Sequence, residues 1–222
     1  MSARPRILLI GSTGQVGWEL MRTLAPLGEV VAASICGRYG PVVDLTDAPA
    51  VARLIAGAAP QLIVNAAAYT AVDKAEVEPD LARRINADAC GVIGEQALRL
   101  GAGVLHYSTD FVFAGDARRP YREADEPAPL GVYGETKLAG ERQLLETGAA
   151  AVVLRTSWVY GARGQNFLLT MQRLFRERDQ VNVVDDQIGA PTWSRMLAEV
   201  SAQILAPTLA GRLDRPDGGE RA

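Results

Sequence analysis

The sequence predicts an α/β protein with a Rossmann-like, doubly wound parallel sheet. Short apolar runs recur along the chain, are continuous rather than alternating in hydrophobicity, and are separated by segments of helical length. This is the pattern of parallel strands that helices cover on both faces. The first apolar run also leads directly into the glycine-rich turn "IGSTGQVG", which is typical of a strand-to-helix turn that binds a dinucleotide.

Five strands and the helices between them follow from these runs. The strands are expected at 6–11, in a run that ends near Ser34, and at 60–68, 103–113 and 150–160. The first helix is expected from about 14 to 27, and further helical patterns occupy 48–59, 79–102 and 133–146. The segment 114–131 is rich in proline and charge, which predicts an exposed loop.

Length and composition favour one large domain with a smaller appendage. The chain has 222 residues, of which 48% are hydrophobic, and this is enough for a sizeable core. We predict a dinucleotide-binding domain over 1–160 and a partial substrate-binding region over 161–206. The segment 207–222 is predicted to be a disordered tail, because its last part is polar and rich in glycine.

Charge and cysteine usage exclude several functional classes. The net charge of −3 and the pI of about 5.3 predict neither a nucleic-acid partner nor an anionic membrane partner. Cys36 and Cys90 lie in unrelated contexts, which suits a reducing cytoplasm, and the run "ILLI" is too short for a signal peptide or a membrane span. The only histidine, His106, has no partner cluster that favours a metal, so a packed core residue is expected.

Three glycines in the first turn match the needs of a pyrophosphate. Gly11 permits a tight turn, Gly14 lets the backbone approach the phosphates, and Gly17 lets helix and strand pack closely. The N-terminus of the helix then offers unpaired N–H groups and a partial positive charge. Glycines can also simply end strands, but the strand before and the helix after this turn favour dinucleotide binding.

The end of the second strand bears on the choice of cofactor. A carboxylate commonly binds the adenine ribose there, whereas this chain has Ser34, followed by Arg38, which could pair with a 2′-phosphate. The sequence therefore favours NADPH over NADH. Asp44 and Leu45 are candidates for the adenine pocket, although Asp44 could equally be the N-cap of the next helix, as could Asp47.

A tyrosine and a lysine four positions apart supply the candidate catalytic pair. On a helix, the spacing of Tyr133 and Lys137 places both side chains on one face. An ammonium group at Lys137 would lower the pKa of the Tyr133 phenol toward the working range. Thr109, at the end of the fourth strand, could offer its hydroxyl to a substrate carbonyl. The three together predict a ketone reduction in which Tyr133 donates the proton.

The strings "GSTGQVG", "VNAAAYTAVDKAE", "HYSTDFVFAG", "VYGETKLAGE", "LRTSWVYG" and "DQIGAPT" resemble the dTDP-4-dehydrorhamnose reductase family, within about 6–205. These extended short-chain dehydrogenases/reductases reduce dTDP-4-dehydro-L-rhamnose to dTDP-L-rhamnose, a nucleotide sugar for polysaccharide biosynthesis. The resemblance implies cofactor contacts at Gly11, Gly14, Gln15, Val16, Gly17, Ala68, Tyr69, Thr70, Tyr107, Tyr133 and Lys137. It also implies sugar contacts at Thr109, Asp110 and Trp158, although Trp158 could instead be a core aromatic residue at a strand end.

Two departures from the family pattern leave alternatives open. The family commonly has an aspartate where this chain has Ser34, and family members continue for roughly a further third of this length, so the substrate-binding portion is expected to be C-terminally shortened. A non-catalytic NADP-binding regulatory subunit is therefore an alternative, as is a nucleotide-sugar epimerase or dehydratase with tightly bound NAD. The resemblance also allows a homodimer and a magnesium requirement, but no local cluster of ligands supports magnesium.

Overall fold

A parallel five-stranded sheet forms the centre of the protein. The computed structural model describes residues 4–213, with the side chains of residues 4–209. The sheet has the strand order β2-β1-β3-β4-β5, and every neighbouring pair is parallel. Its strands are β1 (Arg6–Ile10), β2 (Glu29–Ala33), β3 (Leu62–Asn65), β4 (Gly103–Thr109) and β5 (Ala150–Thr156). The predicted fold class is confirmed.

Helices connect the strands of this sheet. They are α1 (Gln15–Leu24), α2 (Ala48–Ala58), α3 (Val72–Ala75), α4 (Pro79–Arg83), α5 (Ala89–Leu100) and α6 (Val132–Glu146). A π-helical turn, Arg84–Asp88, joins α4 to α5. A second, smaller sheet pairs β6 (Val159–Tyr160) with β7 (Thr192–Trp193), and α7 (Phe167–Glu177) and α8 (Ser194–Leu213) complete the chain that the structure describes.

The two faces of β1 belong to two different cores. Ile7 and Leu9 point into one core, with apolar residues of α1 and α8, whereas Leu8 and Ile10 point into the other, with residues of α2 and α5. All four side chains are fully buried. Because helices cover both faces, the strand needs apolar residues at every position, which explains the continuous apolar run in the sequence.

The fourth and fifth strands are shorter than their apolar runs predicted. β4 ends at Thr109, because a 3₁₀ turn, Asp110–Val112, begins there, with the Thr109 side chain accepting a hydrogen bond from a backbone N–H of that turn. β5 ends at Thr156, because Trp158 has a left-handed φ of 46°, which a continuous strand does not allow. The chain resumes as β6 in the smaller sheet.

The last helix extends into the predicted tail. Residues 207–213, predicted to be disordered, continue α8, which contains Pro207. Leu205 and Leu209 are buried against α1 in the same core as Ile7, and this burial holds the segment in place. The rest of the predicted tail, 214–222, lies outside the described residues. No helix within 4–213 combines the length and the apolar character that crossing a membrane requires.

The packing of α1 on the end of β1 generates a first prediction. A Cβ atom at Gly17 would collide with the backbone carbonyl of Gly11, whereas a Cβ at the exposed Gly57 of α2 would meet nothing within 4 Å. Gly17→Ala should therefore lower the free energy of unfolding by about 1–3 kcal/mol, as overpacking does. Gly57→Ala should instead raise it by up to about 1 kcal/mol. Urea denaturation measures both, and equal effects of the two substitutions would contradict the prediction.

Candidate functional site

A crevice of about 670 Å³ lies at the carboxyl ends of the central strands. Ligands of open α/β sheets bind at this edge. The predicted site residues that line it are Gly11, Gly14, Gln15, Val16, Ser34, Asp44, Leu45, Ala68, Thr70, Tyr107, Tyr133 and Lys137. Gly17, Tyr69, Thr109, Asp110 and Trp158 are not among the lining residues, and they lie beside or beneath the crevice.

The turn between β1 and α1 consists of closely packed backbone. Gly11 has a φ of 89°, a conformation that favours glycine, and a Cβ atom there would lie 2.6 Å from the backbone nitrogen of Ala67. Gly14 precedes α1 in an extended conformation. Gly17 packs its Cα against the Gly11 carbonyl, so its part is to seat the helix rather than to line the crevice. The first turn of α1 thus adjoins the crevice, an arrangement suited to an anion.

At the end of β2, the structure separates Ser34 from Arg38. Ser34 is buried and lines the crevice, and its hydroxyl lies 3.6 Å from the sulfur of Cys36. Arg38 is exposed, with its guanidinium 5.6 Å from the centre of the Tyr39 ring, and it does not line the crevice. The local polarity at this wall therefore comes from a neutral hydroxyl and not from a carboxylate.

The two aspartates before α2 have different roles. Asp47 is the N-cap of the helix, because its Oδ1 accepts a hydrogen bond from the Ala50 N–H at 2.9 Å. Asp44 accepts the N–H and the hydroxyl of Thr46, both at 2.8 Å. These hydrogen bonds lower the pKa of Asp44. Asp44 and Leu45 both line the crevice, and the N-cap of α2 is Asp47 rather than Asp44.

The loop after β3 presents small residues to the crevice. Ala68 and Thr70 line it, but the side chain of Tyr69 turns toward α4 and donates a hydrogen bond from its hydroxyl to Glu78 at 2.5 Å. In this arrangement the Tyr69 ring therefore does not point toward a cofactor in the crevice. The backbone of Tyr69 instead serves as an anchor point for the loop.

Asn86, in the π-helical turn, hydrogen-bonds to the backbone of Tyr69 on both sides. Its Oδ1 accepts the Tyr69 N–H at 2.8 Å, and its Nδ2 donates to the Tyr69 carbonyl at 3.1 Å. The same Nδ2 lies 3.2 Å from the Thr136 hydroxyl, which donates to the carbonyl of Tyr133. A π-turn inside a helix is often found at a functional site, and here it fixes the crevice loop to α6.

Tyr133 and Thr109 form the part of the site with candidate chemistry. The Tyr133 ring packs edge-on against Phe111, with 5.6 Å between ring centres. Burial raises the pKa of Tyr133, the Thr109 hydroxyl beside it lowers that pKa in part, and the charge of Asp110 raises it further. Burial also raises the pKa of Asp110. The phenol therefore retains its proton at neutral pH.

Lys137 lines the crevice together with Tyr133, but its side chain is buried more deeply than the spacing of the two residues suggests. Nζ donates to the Tyr107 carbonyl at 2.7 Å and lies 3.2 Å from Nε2 of His106. Burial lowers the pKa of Lys137 and raises the pKa of Tyr133, because desolvation opposes charge on both groups. The acidification of Tyr133 by an ammonium group at Lys137 stays a prediction.

His106 and Trp158 have different surroundings. His106 is buried, with a hydrogen-bonding contact to Asn65 at 3.2 Å, which confirms the packed core histidine. Trp158 is 41% exposed, lies against the backbone at Gly189, and has its ring centre 6.3 Å from that of Phe167. Its exposure does not fit a core aromatic residue. Its left-handed φ is the kind of strain that collects at functional sites, and its sugar contact stays a prediction.

The sequence analysis missed two hydroxyl groups in the crevice. Ser108 Oγ and Thr156 Oγ1 are buried and have no hydrogen-bond partner among the described residues, and both residues line the crevice. Their only sequence signal is their position at strand ends. Unpaired buried hydroxyls call for a polar ligand, and together with the glycine turn they fit a dinucleotide. Within 4–213, no group of three or more His, Cys, Asp or Glu residues could hold a metal ion.

These features define a class of protein. A parallel sheet has a glycine-rich turn after β1 and a crevice at its carboxyl edge, and Tyr133 lies one turn before Lys137 on α6. These are the properties of a Rossmann-like oxidoreductase of the short-chain dehydrogenase type.

Comparison with known proteins identifies the family within this class. The family model described as the RmlD substrate binding domain matches residues 5–214. The chain is 48% identical over 216 residues to the dTDP-4-dehydrorhamnose reductase of Escherichia coli K12, covering 95% of this chain and 69% of that protein. The chain belongs to the dTDP-4-dehydrorhamnose reductase family, which confirms the resemblance found in the sequence.

Solved structures give the same result. The dTDP-4-dehydrorhamnose reductase of Bacillus anthracis, in complex with NADP, matches with a TM-score of 0.85 and 37% identity over 93% of this chain and 72% of that one. The enzyme from Clostridium acetobutylicum matches with a TM-score of 0.85 and 36% identity over 91% of this chain and 70% of that one. The described fold is thus that of the family.

The contacts of Asn86 generate a second prediction. Asn86→Ala removes two hydrogen bonds to the Tyr69 backbone and leaves those partly buried groups unpaired, which should cost about 1–3 kcal/mol of unfolding free energy. Asn182→Ala, at an exposed position, should change it by less than about 0.5 kcal/mol. Thermal or urea denaturation of both variants measures the difference. A loss at Asn86 no larger than that at Asn182 would show that the clamp contributes nothing.

Proposed function

We propose that the protein is an NAD(P)H-dependent reductase that converts dTDP-4-dehydro-L-rhamnose (dTDP-6-deoxy-L-lyxo-4-hexulose) to dTDP-L-rhamnose, the final step of dTDP-rhamnose biosynthesis. The observation that carries the proposal is the Tyr133 phenol beside Thr109, with Lys137 one helical turn further along α6, at a crevice that the glycine turn also lines. The family supports the substrate, because relatives of similar fold and 36–48% identity bear the name of this enzyme.

Each of the chain's own groups has one task in this reaction. The nicotinamide, when bound, supplies the hydride. Tyr133, which lines the crevice beside Thr109, donates a proton to the developing alkoxide. The Thr109 hydroxyl lies beside Tyr133 and orients the carbonyl oxygen. Lys137 lines the crevice from below and positions the dinucleotide through its amine.

Ser34 supports NADPH as the preferred cofactor. A carboxylate at this wall would repel a 2′-phosphate, whereas a buried hydroxyl at the crevice edge does not. The glycine turn serves the pyrophosphate of either cofactor, and the unpaired hydroxyls of Ser108 and Thr156 supply hydrogen bonds deeper in the crevice.

The remaining proposals concern the substrate, the assembly and the compartment. Asp110 and Trp158 contact the sugar from the side of the smaller sheet, and the region 161–206 forms part of the substrate-binding portion. The enzyme acts on a dTDP-sugar and works in the cytoplasm, in which sugar nucleotides are made. Magnesium, which the family resemblance allows, finds no cluster of three or more His, Cys, Asp or Glu ligands within the described residues. A homodimer is the assembly that we expect.

Replacement of the proton donor tests the reaction. Tyr133→Phe should lower kcat for NADPH oxidation with the 4-keto sugar nucleotide by about 10²–10⁴-fold, because the donor is lost. The Kd for NADPH, from fluorescence titration, should change little. Tyr121→Phe is the matched control, because Tyr121 stacks on Phe113 away from the crevice, and it should retain full activity.

Three outcomes separate this proposal from its alternatives. Full activity in Tyr133→Phe would refute the proton-donor role. NADPH binding without any turnover in the wild type would favour a regulatory subunit. Copurification of NAD that survives dilution and dialysis would favour an epimerase or a dehydratase.

The cofactor preference can be tested at Ser34. Ser34→Asp places a charge at the wall that would face the 2′-phosphate, and it should raise the KM for NADPH by at least about tenfold, equivalent to 1.4 kcal/mol. The KM for NADH should stay the same or fall. Ser34→Asn has nearly the same shape without the charge, and it should move the NADPH value far less. Equal effects of Asp and Asn would assign the change to size rather than to charge.

A further inference from the structure

Behind the crevice lies a buried polar cluster that the proposed reaction uses only in part. Asn65, Cys90, His106 and Lys137 are each at most 2% exposed. The reaction requires only Lys137, which is at the surface of the crevice. A histidine next to a buried lysine adds a second group that could carry a charge, and this is costly unless the hydrogen bonds between them are well matched.

The orientation of Asn65 determines one side of the imidazole. Its Oδ1 accepts the backbone N–H of Ala67 at 3.2 Å, so its Nδ2 faces Nδ1 of His106, also at 3.2 Å. An amide nitrogen can only donate. Nδ1 of His106 is therefore the acceptor of this contact and carries no proton.

The other ring nitrogen then has to donate. A neutral imidazole has one acceptor nitrogen and one N–H, so the proton of His106 is on Nε2, which lies 3.2 Å from Nζ of Lys137. An ammonium group has no lone pair to accept it, whereas a neutral amine does. The sulfur of Cys90 is the other candidate acceptor, but it is 3.8 Å from Nε2 and is itself 3.2 Å from the carbonyl oxygen of Asn86, to which its thiol donates.

We propose that His106 is a positioning residue that donates its Nε2–H to a neutral Lys137 amine, and that Lys137 takes up a proton when an anionic dinucleotide enters the crevice. The amine would donate to the Tyr107 carbonyl at 2.7 Å and accept from His106, which fixes its direction. The proposal rests on the proposed function only in that the ligand is a dinucleotide.

Burial has the largest influence on Lys137 and lowers its pKa, whereas the charges of Cys90 and Glu141 raise it. No ion pair within the described part of the chain includes Lys137; the nearby Glu141 is paired with Arg155 at 2.6 Å. Burial raises the pKa of the Cys90 thiol to about 11, so it provides no anion, and burial lowers the pKa of both His106 and Lys137. The crevice is also lined by Asp44, Tyr107 and Tyr133. Further titratable groups on or beside the elements that pack against α6 are Asp73, Lys74, Glu76, Asp80, Arg83, Arg84, Asp88, Glu95, Arg99 and Asp110.

The phosphates of a dinucleotide change this balance. Negative charge close to an amine favours its ammonium form, and Lys137 adjoins the same crevice as the glycine turn. The step is simple protonation: the amine nitrogen gains one proton from solvent through the crevice, and no other bond changes. The buried lysine thereby stays uncharged until its counter-charge arrives.

Nuclear magnetic resonance tests the tautomer directly in the wild-type protein. His106 is the only histidine in the chain, so a sample produced without a polyhistidine tag and labelled with [15N]histidine gives one pair of ring nitrogens. A long-range 1H–15N correlation spectrum without cofactor, at about pH 8, should show a protonated Nε2 and an unprotonated Nδ1, as in a neutral imidazole. A protonated Nδ1 would overturn the proposal.

Calorimetry tests the proton uptake. NADPH is titrated at about pH 8, well above the second phosphate pKa of about 6, in two buffers of different ionisation enthalpy. The wild type should take up protons as NADPH binds, because the phosphates favour the ammonium form of Lys137. Lys137→Met should take up almost none. Cys90→Ala is the matched control, because it removes the rival acceptor and should leave the uptake unchanged.

His106→Gln separates a positioning role from a merely structural one. The glutamine amide can offer an oxygen to an ammonium group, so Lys137 should be partly charged before NADPH binds and the uptake should fall below the wild-type value. Unchanged uptake in this variant, or equal uptake in the wild type and Lys137→Met, would refute the proposal. Full turnover together with a protonated Nδ1 would refute this inference but not the proposed reductase function. Proton uptake on NADPH binding without turnover would support this inference and contradict the reductase function.

Discussion

The site depends on the contact of three backbone segments at Gly11. The turn after β1 lies against the loop after β3 and supports the start of α1, and a methyl group at Gly11 or Gly17 would overlap with backbone atoms. Because no side chain fills this space, the first turn of α1 reaches the crevice with its N–H groups available. The crevice lies beside this turn, at the carboxyl edge of the sheet, and residues of both α1 and α6 line it.

Burial determines the chemistry on the other wall. The parallel sheet is covered on both faces, so the groups at the end of β4 and on the inner face of α6 are largely withdrawn from water. Desolvation opposes charge on each of them, and it keeps the Tyr133 phenol and the Cys90 thiol protonated. Burial also makes the hydrogen-bond pattern around His106 energetically important, because a donor without an acceptor in this cluster could not hydrogen-bond to water instead.

The sequence predicted what local patterns and periodicity determine. The five strands, their parallel arrangement and the glycine turn follow from continuous apolar runs and from the spacing of three glycines. The spacing of Tyr133 and Lys137 predicted a shared helix face, but it carries no information about depth, so the lowered pKa of Lys137 could not be foreseen. The break at Trp158 and the order of α8 as far as Leu209 arise from tertiary contacts, which local residue preferences do not encode.

The same desolvation favours the protonated form of Tyr133, in which it meets the ketone. An oxidation would need a phenolate to remove a proton from an alcohol, and a buried phenol beside Asp110 resists ionisation. A reduction needs the opposite, a phenol that holds its proton until negative charge develops on the carbonyl oxygen. A lysine that gains its charge with the dinucleotide is already cationic when the sugar is reduced, so it stabilises the phenolate as the proton leaves Tyr133. Burial of Lys137 therefore restricts this stabilisation to the cofactor-bound state.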